Sequence, residues 1–190
     1  MKKGINLLPL TEKEQRCICD FIRMLIPIAR DNTNPMCKIA KRNIALTLWN
    51  WTADAVDAVT GQIHANGNKY NVKVLRHTKA ALMIRRGEKG LRHEHVIPRS
   101  VLADKIVTCN MSAEAIFTFL SKWCDAVIVT KKEDAGLKPK DAMPAGWTFK
   151  TGKRDQRYID AKMEKKLLPP TSNPNAKRPF LVTARSVPMP

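Results

Sequence analysis

Residues 90–105 read GLRHEHVIPRSVLADK and place two of the four histidines, His93 and His95, on either side of Glu94. The run LRHEHVI has the composition of a β-strand, and Pro98 marks the end of that strand. Because alternate side chains of a strand share a face, we expect His93 and His95 on one face and Glu94 on the other. The segment therefore predicts a strand that gathers titratable groups at its end.

Two helices are predicted before this strand. Thr11 and Glu14 have the spacing of a capping box at the start of a helix over residues 11–30, which Pro27 is expected to bend or end. A second apolar series with helical spacing predicts a helix of about 25 residues that ends before Gly61.

Other segments predict the rest of a small sheet. Asn66-Gly67 is a common turn pair followed by alternating valines, so residues 62–75 are expected to form a hairpin. Ser112 precedes an apolar helical series and is the expected N-cap of a further helix. The run AVIVT at residues 126–130 is typical of a buried strand.

This order of elements predicts an α+β fold, in which an N-terminal helical hairpin is followed by a small mixed or antiparallel β core with helices. We divide the chain into a helical region, a core that carries the histidines and a Pro-rich extended tail, over residues 1–61, 62–166 and 167–190. The tail holds six of the twelve prolines, so no regular structure is expected there. Such a tail is suited to wrapping over a protein partner.

Charge gives the strongest indication of a partner. The chain carries 34 Lys and Arg against 17 Asp and Glu, a net charge of +17. Residues 69–99 hold nine basic and two acidic side chains, whereas residues 1–60 hold nine and six. The basic excess therefore surrounds the histidines, and it predicts nucleic acid, DNA or RNA, rather than a membrane as the partner.

Cysteine spacing and hydropathy restrict the class of protein. None of the five cysteines forms a CxxC pair, which indicates reduced thiols rather than a disulfide framework or a zinc knuckle. No apolar run approaches the roughly 18 to 20 residues that span a bilayer, and the N-terminal apolar stretch is too interrupted for a signal peptide. We therefore expect a soluble, cytoplasmic protein.

The triplet His93-Glu94-His95 has the groups that phosphodiester hydrolysis needs. A neutral imidazole can deprotonate water, and a carboxylate can hold a divalent cation that stabilises the leaving oxygen. The sequence EHVIPRSVL resembles the first motif of the HNH, or ββα-metal, nucleases. In that motif an acidic residue, the general-base histidine, two apolar residues and a proline follow one another. The resemblance covers residues 90–125.

The resemblance implies a metal-dependent endonuclease with Mg²⁺ or Mn²⁺ as its cofactor. It places Glu94 on the metal-binding acid, His95 on the general base and Asn110 near the asparagine that braces the histidine loop. The last metal ligand of the family, a His or Asn on the closing helix, has no counterpart in residues 111–124, where Glu114 is the candidate substitute. We therefore expect His95, Glu94 and either Asn110 or Glu114 to converge within reach of one metal ion.

Basic residues around the histidines are the expected ligands of the phosphates. The candidates are Arg76, Arg85, Arg86, Lys89, Arg92, Arg99 and Arg157. Five of them are expected to line one face together with His95, namely Arg85, Arg86, Lys89, Arg92 and Arg99.

Other functions fit the same residues. In a metal-independent ribonuclease of the small-toxin type, His93 and His95 would divide the roles of acid and base. A basic protein without catalysis would bind nucleic acid, or would block a nucleic-acid-handling complex as a phage-type inhibitor. A purely structural interpretation has a strand that ends at Pro98, with one histidine packed and the other exposed.

Overall fold

The computed structural model describes residues 6–84 and 89–171, and over these ranges the chain has an α+β fold with N-terminal helices, as predicted. Seven α-helices lie in the described ranges. They are α1 (Glu12–Arg30), α2 (Cys37–Ala53), α3 (Lys79–Leu82), α4 (Arg99–Thr108), α5 (Ala113–Trp123), α6 (Lys131–Gly136) and α7 (Gln156–Asp160).

Seven short strands form two sheets. The strands are β1 (Leu7–Leu8), β2 (Ala55–Asp57), β3 (Ile63–His64), β4 (Arg76–Thr78), β5 (Leu91–His95), β6 (Ala126–Thr130) and β7 (Leu167–Leu168). The first sheet has the order β1-β2-β3 and is antiparallel. The second has the order β5-β6-β4-β7, in which β4 and β6 are parallel and the other pairs are antiparallel.

Capping residues in the sequence predicted the first residues of two helices correctly. Thr11 and Glu14 form the predicted capping box at the start of α1. The hydroxyl of Ser112 accepts a hydrogen bond from the backbone N–H of Ala115 at the start of α5. Pro27 lies inside α1 and does not end it, because the helix continues to Arg30.

The second helix is shorter than predicted, with 17 residues. Its C-cap, Asp54, is extended, and the next three residues form β2 between β1 and β3. The carboxylate of Asp57 then accepts hydrogen bonds from the backbone N–H groups of Val59 and Thr60, at 2.8 and 2.9 Å. This side-chain-to-backbone bonding stabilises a turn in place of further helix.

The hairpin predicted over residues 62–75 is wrong. Only Ile63–His64 is a strand there, and it pairs with β2. Asn66 has a positive φ of 57°, and the buried amide of Asn68 donates to the carbonyl oxygens of Leu8 and Asp54, at 3.1 and 2.9 Å. These asparagine contacts hold successive turns, which leave no extended return strand.

The predicted absence of regular structure from residue 167 onward is also wrong at its start. Leu167–Leu168 forms β7, which pairs with β4 and places Leu168 opposite His77. Residues 172–190 lie outside the described residues, so the expectation for most of the tail stays a prediction.

One hydrophobic core joins the two regions that the sequence separated at residue 61. Buried side chains of α1, α2, α4 and α5 pack in it, for example Ile22, Ile44, Ile106 and Ile116. Because α2 packs on α4, the last turn of α2 reaches the face of β5 that carries the histidines. None of the helices in the two described ranges has the length and apolar composition to cross a membrane.

Candidate functional site

Strand β5 presents its two histidines on one face, as its alternation predicts. His93 and His95 are 6% and 5% exposed, and their ring centroids are 5.3 Å apart. Both side chains are therefore packed, in contrast to the structural interpretation in which one of them is exposed. The neighbouring Arg92 and Glu94 are less buried.

A single hydroxyl joins the two imidazoles. The Oγ1 atom of Thr52, in the last turn of α2, lies 2.9 Å from Nε2 of His93 and 3.0 Å from Nε2 of His95. Nδ1 of His93 lies 2.9 Å from the carbonyl oxygen of Lys69, and Nε2 of His95 lies 3.4 Å from that of Leu48.

These contacts determine which nitrogens carry protons. A carbonyl oxygen only accepts, so Nδ1 of His93 is protonated and donates to Lys69. Nε2 of the neutral His93, 2.9 Å from the Thr52 oxygen, then accepts its hydroxyl proton in preference to the carbonyl oxygen of Trp49, 3.4 Å away. This leaves the Thr52 oxygen to accept from Nε2–H of His95. His95 therefore keeps its lone pair on Nδ1, which forms no hydrogen bond with any side chain or backbone group of residues 6–84 and 89–171.

Burial keeps both imidazoles uncharged. It lowers the pKa of His93 to about 4, with the cations Lys69 and Arg99 acting in the same direction. It also lowers the pKa of His95 well below its ordinary value, and the neighbouring His93 and Arg99 add to this effect. At neutral pH both rings are therefore uncharged, and the lone pair on Nδ1 of His95 is the one that forms no hydrogen bond with a described residue.

The histidines line a cavity of about 360 Å³. Its walls come from α2, β5, the start of α4 and the loop after α6. The lining residues are Arg42, Ala45, Leu46, Trp49, His93, Glu94, His95, Pro98, Arg99, Ser100, Lys140 and Asp141. The indole of Trp49 packs against the histidines, with ring centroids 4.7 Å from His93 and 5.9 Å from His95.

The charged groups that line this cavity are three cations and the carboxylates of Glu94 and Asp141. Arg42, Arg99 and Lys140 line it, and none of the three forms an ion pair with a described residue. The guanidinium of Arg99 lies 5.2 Å from the ring centroid of Trp49, and Nζ of Lys69 lies 5.3 Å from it. We call this cavity, with its three lining cations, the cationic cavity.

Glu94 is engaged by a buried arginine. Arg157, which is 1% exposed, donates from Nη1 to Oε1 of Glu94 at 2.8 Å and to the carbonyl oxygen of His95 at 3.2 Å. Burial raises the pKa of the Glu94 carboxyl, while the ion pair with Arg157 opposes that rise. Arg157 therefore holds the end of β5 in place and is not a surface ligand for phosphate.

The predicted third metal ligand does not join His95 and Glu94. Asn110 follows the far end of α4, a helix about 15 Å long, and its side-chain oxygen accepts from Arg23 of α1 at 3.3 Å. Glu114 forms an ion pair with Arg16 of α1. Within the described ranges, no group of three His, Cys, Asp or Glu side chains could hold a metal ion.

The predicted phosphate ligands are dispersed. Arg99 lines the cationic cavity, and Lys89 is exposed in the turn before β5. Arg92 is exposed and lies 3.9 Å from the carboxylate of Asp134, because alternation along β5 points it away from the histidines. Arg76 is held by Asp125 and Asp155 and is not free to bind phosphate. Arg85 and Arg86 lie outside the described residues.

Sequence reasoning missed the contribution of α2. Arg42, Ala45, Trp49 and Thr52 recur at intervals of three and four residues, which places them on one helical face. This spacing could have predicted a second face of the helix, but the apolar series of the same helix indicated only the face that packs in the core. Lys140 lies in an irregular loop, and no local pattern marks it.

The residues that resemble the HNH motif form β5, α4 and α5 in the structure. Three residues separate the histidine that the resemblance identifies as a base, His95, from the first residue of α4. Comparisons of the chain with family models, curated proteins and solved structures find no match.

Proposed function

We propose that the protein hydrolyses phosphodiester bonds of nucleic acid in the cationic cavity, with His95 as the general base. The observation that carries the proposal is the neutral His95, whose Nδ1 has no hydrogen-bond partner among the described residues, beside Arg42, Arg99 and Lys140. A base, a cavity and unpaired cations are the parts that such a reaction requires.

In the proposed reaction, Nδ1 of His95 takes a proton from the water molecule that attacks the phosphorus atom. A new P–O bond forms, the bond between phosphorus and the leaving sugar oxygen breaks, and that oxygen takes a proton from solvent. Thr52 and the carbonyl oxygen of Leu48 hold the opposite edge of the ring and so orient the lone pair. The cations bind the phosphate and stabilise the negative charge that accumulates on its oxygens in the transition state. The nucleophile is water whether the strand is DNA or RNA.

His93 is assigned an orienting role. Both of its ring nitrogens are used, one by Lys69 and the other by Thr52. A histidine without an available nitrogen cannot exchange a proton with substrate unless these bonds break. His93 and His95 therefore do not divide the roles of acid and base here, whereas in a small-toxin ribonuclease they would.

The divalent metal that the HNH resemblance implies does not fit the described residues. Glu94 is bound by Arg157, whereas Asn110 and Glu114 bond to α1. No step of the proposed reaction uses a metal ion. Cleavage that resists a chelator is therefore expected.

The test is cleavage of plasmid DNA and of tRNA with magnesium, with manganese and with a chelator. Chelator-resistant cleavage supports the proposal. Cleavage that a chelator abolishes and Mn²⁺ restores would contradict it and favour the metal-dependent endonuclease. Glu114→Gln is a matched control, since its ion pair with Arg16 on the surface predicts unchanged cleavage under every condition.

A non-catalytic nucleic-acid-binding protein is the second candidate. The low exposure of His95 favours it, since a base at the bottom of a cavity is harder for a phosphate to reach. In that case the cations would bind nucleic acid but no condition would yield cleavage. Binding without cleavage in the same assay is the result that would select this candidate.

A further inference from the structure

The cationic cavity has an apolar wall as well as charged groups. Ala45, Leu46, Trp49 and Pro98 line it beside Arg42 and the other cations. Leu46 is 49% exposed although its side chain is fully apolar, so folding leaves this wall accessible to a ligand. An apolar wall next to phosphate-binding cations matches the two halves of a nucleotide, which are a base and a phosphate.

Access to His95 restricts the shape of the substrate. His95 is 5% exposed, and the cavity in front of it has a volume of about 360 Å³. Cavities of roughly 300 Å³ and above hold small molecules, so one nucleotide fits and a base-paired segment does not. In a duplex the base is stacked inside the helix, and it must be unpaired and unstacked, at a cost in free energy, before it can enter a cavity together with its phosphate.

We propose that the cationic cavity receives one unpaired nucleotide, with its base against Ala45, Leu46 and Trp49 and its phosphate on Arg42 and Lys140. The substrate class is then single-stranded nucleic acid, or an unpaired loop within a folded one. This inference rests on the proposed function, since it assumes that the phosphate enters the cavity in order to be cleaved.

The favourable energy of this arrangement comes from two independent sources. Every base has an apolar face, so contact with the wall stabilises the binding of an unpaired base whatever its identity. Neutralisation of the phosphate by cations adds the electrostatic part of the affinity. Both sources are sequence-tolerant, so cleavage at many positions of an unpaired strand is expected.

The first test uses one labelled strand in three forms: alone, fully paired with its complement, and as the loop of a hairpin. The strand is prepared as DNA and as RNA, and kcat/KM is measured for each form. The expected result is cleavage of the single strand and the loop at least about tenfold faster than cleavage of the duplex. Equal cleavage of the duplex would overturn this inference and leave the proposed function intact, whereas no cleavage of any form would overturn both.

The second test removes the apolar wall without changing charge. Leu46→Ser should raise KM for the single strand by about tenfold, because the variant lacks the apolar contact that Leu46 makes with the bound base. Met24→Ser is the matched control, since Met24 is an exposed apolar residue of α1, which does not line the cavity. An unchanged KM in Leu46→Ser, or an equal rise in both variants, would contradict the placement of the base.

Discussion

Arginines occur in two settings around β5, and the settings differ in whether carboxylates neutralise them. In the cationic cavity, Arg42 and Arg99 form no ion pair with any residue that the structure describes. A second group, which we call the ion-pair cluster, consists of Arg76, Arg157, Glu94, Asp125 and Asp155. Its cations lie 2.7 to 2.8 Å from their carboxylate partners.

The two groups illustrate why net charge alone does not locate a binding surface. Arg76 and Arg157 contribute to the net charge of +17 as much as Arg42 does, but carboxylates within the fold neutralise their charges. In the cavity, Arg99 donates to the carbonyl oxygen of Ala45 at 3.1 Å, while Arg42 and Lys140 form no ion pair with a described residue and remain available to a ligand. The comparison predicts that the cluster governs stability and that the cavity governs binding.

The largest expected effect is on stability, in the ion-pair cluster. Arg157→Ala removes a fully buried cation and leaves Glu94 without its partner, so a loss of about 3 kcal/mol in the free energy of unfolding is expected. Arg42→Ala, at an exposed position, should change that free energy by less than about 0.5 kcal/mol. Urea unfolding of both variants measures the difference, and equal losses would remove the distinction between the two groups.

The next expected effect is on the pH dependence of the free energy of unfolding, and it comes from the two histidines that line the cationic cavity. The pKa of His93 is about 4 in the folded protein and about 6.5 when unfolded, so between these values the unfolded state binds more protons. Stability should therefore fall as pH falls, by roughly 2 kcal/mol from His93 alone between pH 7.5 and 5. His95 acts in the same direction.

Unfolding by urea at a series of pH values measures this effect. His93→Gln is the control variant, and it should flatten the dependence over the same range. A wild-type stability that does not change between pH 7.5 and 5 would show that the histidines are not buried in the neutral form.

A smaller effect is expected on the salt dependence of binding. Arg42→Gln and Lys140→Gln should each weaken nucleic-acid binding and reduce the slope of log affinity against log salt by about 0.7 on a single strand. Lys79→Gln is a suitable control, because Lys79 is exposed on α3 and does not line the cavity. Fluorescence anisotropy at several salt concentrations gives the slopes, and an equal change in all three variants would place the binding surface elsewhere.

Local sequence patterns predicted the elements whose determinants lie within a few residues. The capping box of Thr11 and Glu14, the Ser112 cap and the strand 126–130 are of this kind. Alternation along β5 also predicted that His93 and His95 share a face. These features need no knowledge of the tertiary structure.

The partners of the histidines could not be predicted in the same way. Thr52 precedes His95 by 43 residues, and Arg157 follows Glu94 by 63 residues. Contacts at such separations depend on how α2 and α7 pack, and no local pattern specifies that packing. The motif resemblance likewise suggested Asn110 and Glu114, although both follow α4 and bond to arginines of α1.

The most direct test of the central claim compares His95→Ala with the wild-type protein in single-turnover cleavage, binding and thermal melting. If His95 is the general base, cleavage should fall by about a hundredfold or more while affinity for nucleic acid stays nearly unchanged, because a base acts in the transition state. A folded His95→Ala protein that cleaves at the wild-type rate would contradict the assignment of His95.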